Sequence, residues 1–511
     1  MASEKDIAPT PMVADEPNDF EKGTVIDKRA DLGLQFLEKT GAVEYTEEEE
    51  QRVRWKIDLY LMPILMLTFG LQYLDKVTVS YAAVYNMNRD LNLVGQQYSW
   101  ANSVFYFGYL VGEFPANYLI QKLPIGKFSG VCILLWGAMV MLCAAAKNFA
   151  GLATLRFLMG FFEAGIPPCW IYITSMFYKA SEQGMRACAW YFMVGVAAIV
   201  GGLLGYGVGH IRTGVTQWQF VFLICGGFTV FWAFVVGFYL PDSPLNAKFL
   251  TEREKAIAID RLRSNRTGVK SSEFKAKQAL EALHDPQVWL FALWSGTSQI
   301  LNIGGSFLPL IIQDMGFTGL QTTLLTLPVG GVECVAMVVA GSLSSYLANG
   351  RTGIMFCVAC PTLVGAVLLQ TLPLTSVWGR ATGVWLFLCI PASYAIMLSL
   401  ISSNIAGTTK KVTTTLLSFV LFCVGNIVSP QLFRASEAPQ YGTAMRSMLV
   451  AMALVQLITI LLGTYYIYEN RRRDKVLAST PQEVIDAATA RNEEFFDRTD
   501  IEDSLRFRYR W

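Results

Sequence analysis

Charge is scarce in this sequence: 16% of its 511 residues are Asp, Glu, Lys or Arg, and the net charge is +1. An ordinary soluble domain carries about a quarter charged residues, so the chain is not built to face water on all sides. Without a basic excess, nucleic acid is not an expected partner. Histidine is scarcer still, with only His210 and His284, which excludes a multi-histidine metal centre. Nucleophile triads, glycine-rich phosphate loops and metal-ligand constellations are missing, so no enzyme, no metal and no cofactor is expected. The ten cysteines lie in apolar stretches, where thiols act as small hydrophobes and imply no disulfide framework. Cys357 and Cys360 form a C-x-x-C inside such a stretch, and packing is the expected role there too.

Apolar residues, in contrast, are abundant: 53% of the chain is hydrophobic and 13% aromatic. A helix of about 20 such residues crosses a bilayer. Twelve runs qualify, at 57–84, 99–120, 128–147, 150–178, 187–209, 219–240, 288–312, 319–346, 353–373, 378–402, 412–433 and 443–468. The expected fold class is an all-α membrane protein with twelve transmembrane helices in two six-helix halves. The expected organisation is a tail (1–56), a first half (57–240), a central loop (241–287), a second half (288–468) and a second tail (469–511). Residues 1–50 are polar and hold no apolar leader, so the first span is expected to direct insertion. Nine Lys or Arg in the central loop, with "TKK" and "ENRRRDK", fall on one side. The positive-inside rule then places both termini and the loop in the cytosol, with the plasma membrane as the expected location.

Local signals add detail. Thr251 and Glu254 have capping-box spacing and a second polar helix stops at Pro286, so two short amphipathic helices should bridge the halves. Thr46 and Glu49 are placed to cap a short helix entering the first span. The tails, 1–45 and 478–511, are expected to be mostly disordered. In two-half carriers of this plan the substrate site lies between the halves.

Several motifs stand in order along the chain: "YLDKVTVSYAAVY", "RFLMGFFEAGIPP", "LPDSPLNAKFLTEREK", "SNIAGTTKK", "GNIVSPQLF", "EAPQY", "ENRRRD" and "FFDRTDIEDSLRFRYRW". As an ordered set they resemble the fungal allantoate permease family, of anion:cation symporter type, within the major facilitator superfamily. The resemblance implies proton-coupled carriage of a small organic anion such as a ureide, nicotinate or pantothenate, by a protein that works as a monomer in the bilayer. Thr408 stands where relatives usually carry histidine, and Gln219 replaces a frequent arginine. Export of an acidic metabolite, which uses the same site chemistry, and a transporter-like nutrient receptor are the alternatives.

Independently of the family, ionisable residues inside spans mark pathways, because burying them is costly. Asp75 and Lys76 are adjacent, so they point about 100° apart and cannot face the same neighbour. Lys76 and Arg156 lie at one level, roughly 10–13 Å deep. Counting Asp75, Lys76 and Arg156 leaves one positive charge, which a substrate carboxylate would balance. Glu163 is seven residues beyond Arg156, on the same helix face, and is the leading proton-coupling candidate. Pro167 and Pro168 should break that helix beside it. Glu113 and Glu333 are further acidic candidates, expected mainly to make helix-packing hydrogen bonds. Gln299, Asn302, Tyr394 and Asn426 are candidates for bonding a substrate, or for pairing with neighbouring helices.

Overall fold

The computed structural model describes residues 45–212, 214–262, 275–302, 307–347, 349–480, 499–503 and 507–511. Among these the regular structure is helical. Twelve long helical units follow one another. They are α1 (Glu47–Val84), α2 (Gln97–Lys122), α3 (Ile125–Cys143), α4 (Phe149–Phe177), α5 (Ala180–Gly209) and α6 (Gln217–Tyr239). The second six are α7 (Pro286–Ile300 and Leu308–Gln313), α8 (Gly319–Leu325 and Leu327–Tyr346), α9 (Arg351–Thr371), α10 (Val377–Asn404), α11 (Thr408–Gln431) and α12 (Gly442–Ser479). Ten of these are long and apolar enough to cross a membrane unaided; α2 and the two-piece α7 complete the set.

The helix starts are chemically specified. Thr46 and Glu49 form a capping box, with four acidic residues in the first turn favoured by the helix dipole. This cap begins α1 itself, not a separate short helix, because the helical pattern runs unbroken from Glu47 to Val84. Asn148 caps α4 by accepting from the Gly151 amide at 2.9 Å. The two bridging helices are present, Glu252–Asp260 with its Thr251–Glu254 capping box and Ala276–His284. Pro167 and Pro168 have the expected effect: α4 turns at Ala164 and Gly165 between helices Phe149–Glu163 and Ile166–Phe177.

One expectation is overturned. The segment from 478 onward is not disordered throughout: α12 runs to Ser479, and residues 499–503 and 507–511 pack against the second half, with Asp500 and Tyr509 buried. Alternating charged and aromatic residues there find partners on the helix ends, which composition alone does not show. The segments 1–44 and 481–498 lie outside the described residues.

The two halves meet at the end of the bundle away from the bridging helices and at mid-depth. Ser103 of α2 donates to the Ile427 carbonyl of α11 at 2.7 Å, and Gln431 donates to Ser103 at 2.9 Å. On the other seam Tyr81 of α1 lies 3.4 Å from Thr326, and the Gly195 and Gly330 backbones of α5 and α8 touch. At the opposite end none of the described ion pairs joins one half to the other; Arg186–Asp58 at 2.7 Å and Lys410–Asp500 at 2.8 Å each stay on their own side.

Candidate functional site

The structure separates Asp75 from Lys76, as helical geometry requires. Asp75 is fully buried and turned toward α6, where its Oδ2 accepts from the Thr229 hydroxyl at 2.8 Å. Lys76 turns the other way, and its Nζ sits 2.8 Å from Oε1 of Glu163. Glu163 has no exposed surface, whereas the Lys76 side chain retains 22%. The pair therefore joins α1 to α4 at the break in α4, with the ammonium on the accessible side.

This pairing corrects the charge count. Glu163 belongs to the same cluster as Asp75, Lys76 and Arg156, and the formal sum of the four is zero. Helical rise put Glu163 below the others, but the long lysine side chain spans the difference. Lys76 already has an internal counterion, and Asp75 pairs with neither cation.

Arg156 is the group left without one. It is 2% exposed, and among the described residues no carboxylate lies within ion-pair distance of it. Its Nη2 reaches the Lys76 carbonyl at 3.5 Å, Nη1 reaches the Met159 sulfur at 3.5 Å, and Nε has no partner. The guanidinium lies over the Phe105 ring, 5.2 Å from its centre. Close approach of α2 brings that ring in: at Gly160 an added Cβ would meet the Phe105 carbonyl oxygen at 2.0 Å.

Aromatic rings connect these charges to the second half. Lys76 Nζ lies 5.3 Å from the Tyr109 ring centre and 5.6 Å from that of Phe105. Tyr109 contacts Phe419 of α11 at 5.6 Å, and Phe419 stacks on Phe422 at 6.1 Å. Tyr394 of α10 touches Phe422 at 5.8 Å and Tyr191 of α5 at 6.4 Å. Beyond this layer the amides converge. Asn302 donates to Asn426 at 2.9 Å, and Asn426 donates to Gln299 at 3.2 Å and to the Phe422 carbonyl at 2.9 Å. These amides pair across the two neighbouring helices α7 and α11.

The other acids stand apart. Glu113 accepts from Asn117 on its own helix at 3.0 Å, so among the described residues it bonds within α2 and not across helices. Glu333 is 1% exposed and neither oxygen has a hydrogen-bond partner among the described residues, so the packing bond expected of it is not formed. Sequence reading missed Thr229 and the Phe105–Tyr109–Phe419–Phe422 layer. Thr229 carries no signal, one hydroxyl in an apolar run being commonplace; the aromatics at 105, 106 and 109 do share a helical spacing that could have marked them.

Three comparisons bear on this arrangement. The sequence profile of the Major Facilitator Superfamily matches residues 65–430. An uncharacterized transporter of Schizosaccharomyces pombe is 45% identical, over 92% of this chain and 87% of its own length. The allantoate permease of Saccharomyces cerevisiae is 33% identical, over 99% and 94% respectively. Among solved structures, the proton:xylose symporter XylE bound to 6-bromo-6-deoxy-D-glucose superposes with a TM-score of 0.62 at 12% identity, covering 82% of this chain and 96% of that one; at that identity the likeness is one of fold.

Proposed function

Because the chain belongs to the major facilitator superfamily and to its allantoate-permease-like family, a transporter and not an enzyme, we propose that it is a proton-coupled uptake carrier for a small organic anion. The observation that carries this reading is the Lys76–Glu163 ion pair beside the Arg156 guanidinium, which has no carboxylate within ion-pair distance among the described residues. A proton arriving on Glu163 neutralises its carboxylate and breaks the pair. The freed Lys76 ammonium and the Arg156 guanidinium then bind the substrate carboxylate, so proton and anion enter together. Departure of the substrate lets Lys76 return to Glu163 as the proton leaves.

The remaining lining supports the substrate class. Tyr109, Phe419, Phe422 and Tyr394 offer ring faces to a planar ring, a ureido or amide group or an aliphatic chain, and the Gln299–Asn302–Asn426 amides offer donors and acceptors to heteroatoms. Nicotinate, pantothenate and allantoate all fit a carboxylate with polar atoms at the other end. With the bridging helices on the cytosolic side, the seam closed by Ser103 and Gln431 is the outer one, and the arrangement described faces inward. The protein works as a monomer in the plasma membrane.

Uptake of the three labelled acids into intact cells at two external pH values tests the proposal. Accumulation should rise as external pH falls and collapse with a protonophore. Accumulation indifferent to both would exclude proton coupling, and net efflux would indicate an exporter.

A further inference from the structure

Residues 499–503 and 507–511 occupy a groove formed by the bridging-end tips of five helices in the second half. Their backbone is read by side-chain amides. Asn404 of α10 exchanges two hydrogen bonds with Arg510, at 2.7 and 2.8 Å. Asn470 of α12 does the same with Tyr509, at 2.8 and 2.9 Å, and the Arg351 amide of α9 donates to the Trp511 carbonyl at 2.9 Å. Tyr509 stacks on Tyr466, centres 5.2 Å apart, beneath the Arg473 guanidinium.

Asp500 ties this segment to the remaining two helices. It is fully buried. One carboxylate oxygen contacts Lys410 of α11 at 2.8 Å, and the other accepts from Gln287 of α7 at 2.9 Å and from Tyr509 at 2.6 Å. Burial and the Asp500 charge hold the Tyr509 phenol above its usual range, so it remains a donor to Asp500 at physiological pH. Lys410 also contacts Asp285, at the start of α7, at 2.7 Å and Glu281 at 3.0 Å. Such a cluster loses much of its attraction to desolvation, and its worth lies in directional register more than in stability.

The two helices joined by Asp500 are those that carry Gln299, Asn302 and Asn426. They cross closely at Gly296 and Gly425, where a Cβ on Gly425 would meet the Gly296 carbonyl at 2.2 Å. The Gly296–Gly425 crossing and the direct Lys410–Asp285 contact already join these helices, and Asp500 adds a bridge between Lys410 and Gln287, about 18 Å along α7 from Gln299. We propose that residues 499–503 and 507–511 form an internal strap that fixes α7 against α11, making Asp500 and Tyr509 positioning residues for the amide cluster of the substrate site. The register claim stands on the contacts alone; its link to substrate rests on the function proposed above.

The test uses the full chain in membrane vesicles. Asp500→Asn keeps the shape but removes the charge facing Lys410; Tyr509→Phe keeps the stacking and removes one hydrogen bond. Trypsin cleavage at Arg508 and Arg510 reads docking, and disulfide formation between Ile300→Cys and Ser429→Cys, at the point where the Ser429 hydroxyl donates to the Ile300 backbone carbonyl at 3.0 Å, reads register without any substrate. Asp500→Asn should be cleaved about tenfold faster and crosslink about tenfold more slowly, the factor that ~1.4 kcal/mol produces. Its KM for the transported acid should rise about tenfold with Vmax little changed, and Tyr509→Phe should fall between. Unchanged cleavage in Asp500→Asn, or rapid cleavage with unchanged crosslinking, overturns the strap. Altered crosslinking with wild-type KM retains the register and overturns its bearing on substrate. Should wild-type vesicles carry no organic anion, the functional reading fails while the crosslink still decides the strap.

Discussion

Lys76 is held by Glu163 at 2.8 Å, so on the proposed mechanism a substrate carboxylate displaces one already present. On the proposed mechanism Glu163→Gln keeps a hydrogen-bonding group but cannot carry the proton, so accumulation against a gradient should be lost while exchange of internal for external substrate persists. Its residual uptake should no longer rise as external pH falls; normal accumulation by this variant would place coupling at Glu333 or Glu113 instead. Arg156 has no carboxylate within ion-pair distance among the described residues, and contacts the Lys76 carbonyl and the Met159 sulfur instead. Lysine preserves the charge but not the planar pair of donors, so Arg156→Lys should weaken acid binding by about 1.5–3 kcal/mol, roughly tenfold to over a hundredfold. An equal loss for an uncharged amide analogue, measured on correctly delivered protein, would show that the guanidinium holds helices and not substrate.

Helix α4 places both residues, and two features of the element decide how. Its turn at Ala164 and Gly165 ends the first helical piece at Glu163, which presents the carboxylate at the last residue before the break. Its glycines allow α2 to come within backbone contact, bringing Phe105 over Arg156. At Gly160 the obstruction is backbone and cannot rotate away. Gly160→Val should therefore force the helices apart and reduce folded protein in the membrane, seen as loss of a monodisperse detergent-extracted peak. Gly207→Ala in α5 is the control: an added Cβ there meets nothing within 4 Å, and the substitution should leave yield unchanged or slightly higher. Equal yields for the two variants would contradict the close α2–α4 packing.

For the whole molecule, alternating access requires the seam between α2 and α11 to part. Cysteines replacing Ser103 and Gln431, whose side chains bond at 2.9 Å, should form a disulfide that stops uptake, with reductant restoring it. Single-cysteine variants control for the ten native thiols. Uptake at the wild-type rate by the crosslinked protein would mean that this seam does not open during transport. The bridge divides its loyalties accordingly: Lys56 of α1 holds Glu254 of the first bridging helix at 2.7 Å, and Lys410 of α11 holds Glu281 of the second at 3.0 Å, so each half carries one helix with it.

The sequence by itself determined the solvent, the number of spans, the halves, the helix caps at Thr46 and Thr251 and the break in α4. All of these follow from local composition or from spacing along one helix. It also determined that Asp75 and Lys76 face different neighbours, since that is a property of helical geometry. Only the tertiary structure decided which neighbours: Thr229 for Asp75, Glu163 for Lys76 and, among the described residues, no carboxylate for Arg156. Such choices depend on helix rotation and side-chain reach, which span hydrophobicity does not encode, because lipid rewards any apolar surface equally. The strap was hidden for the same reason. Its polar residues read as solvated in isolation, and only the grouped tips of α7, α9, α10, α11 and α12 supply the partners that bury Asp500 and Tyr509.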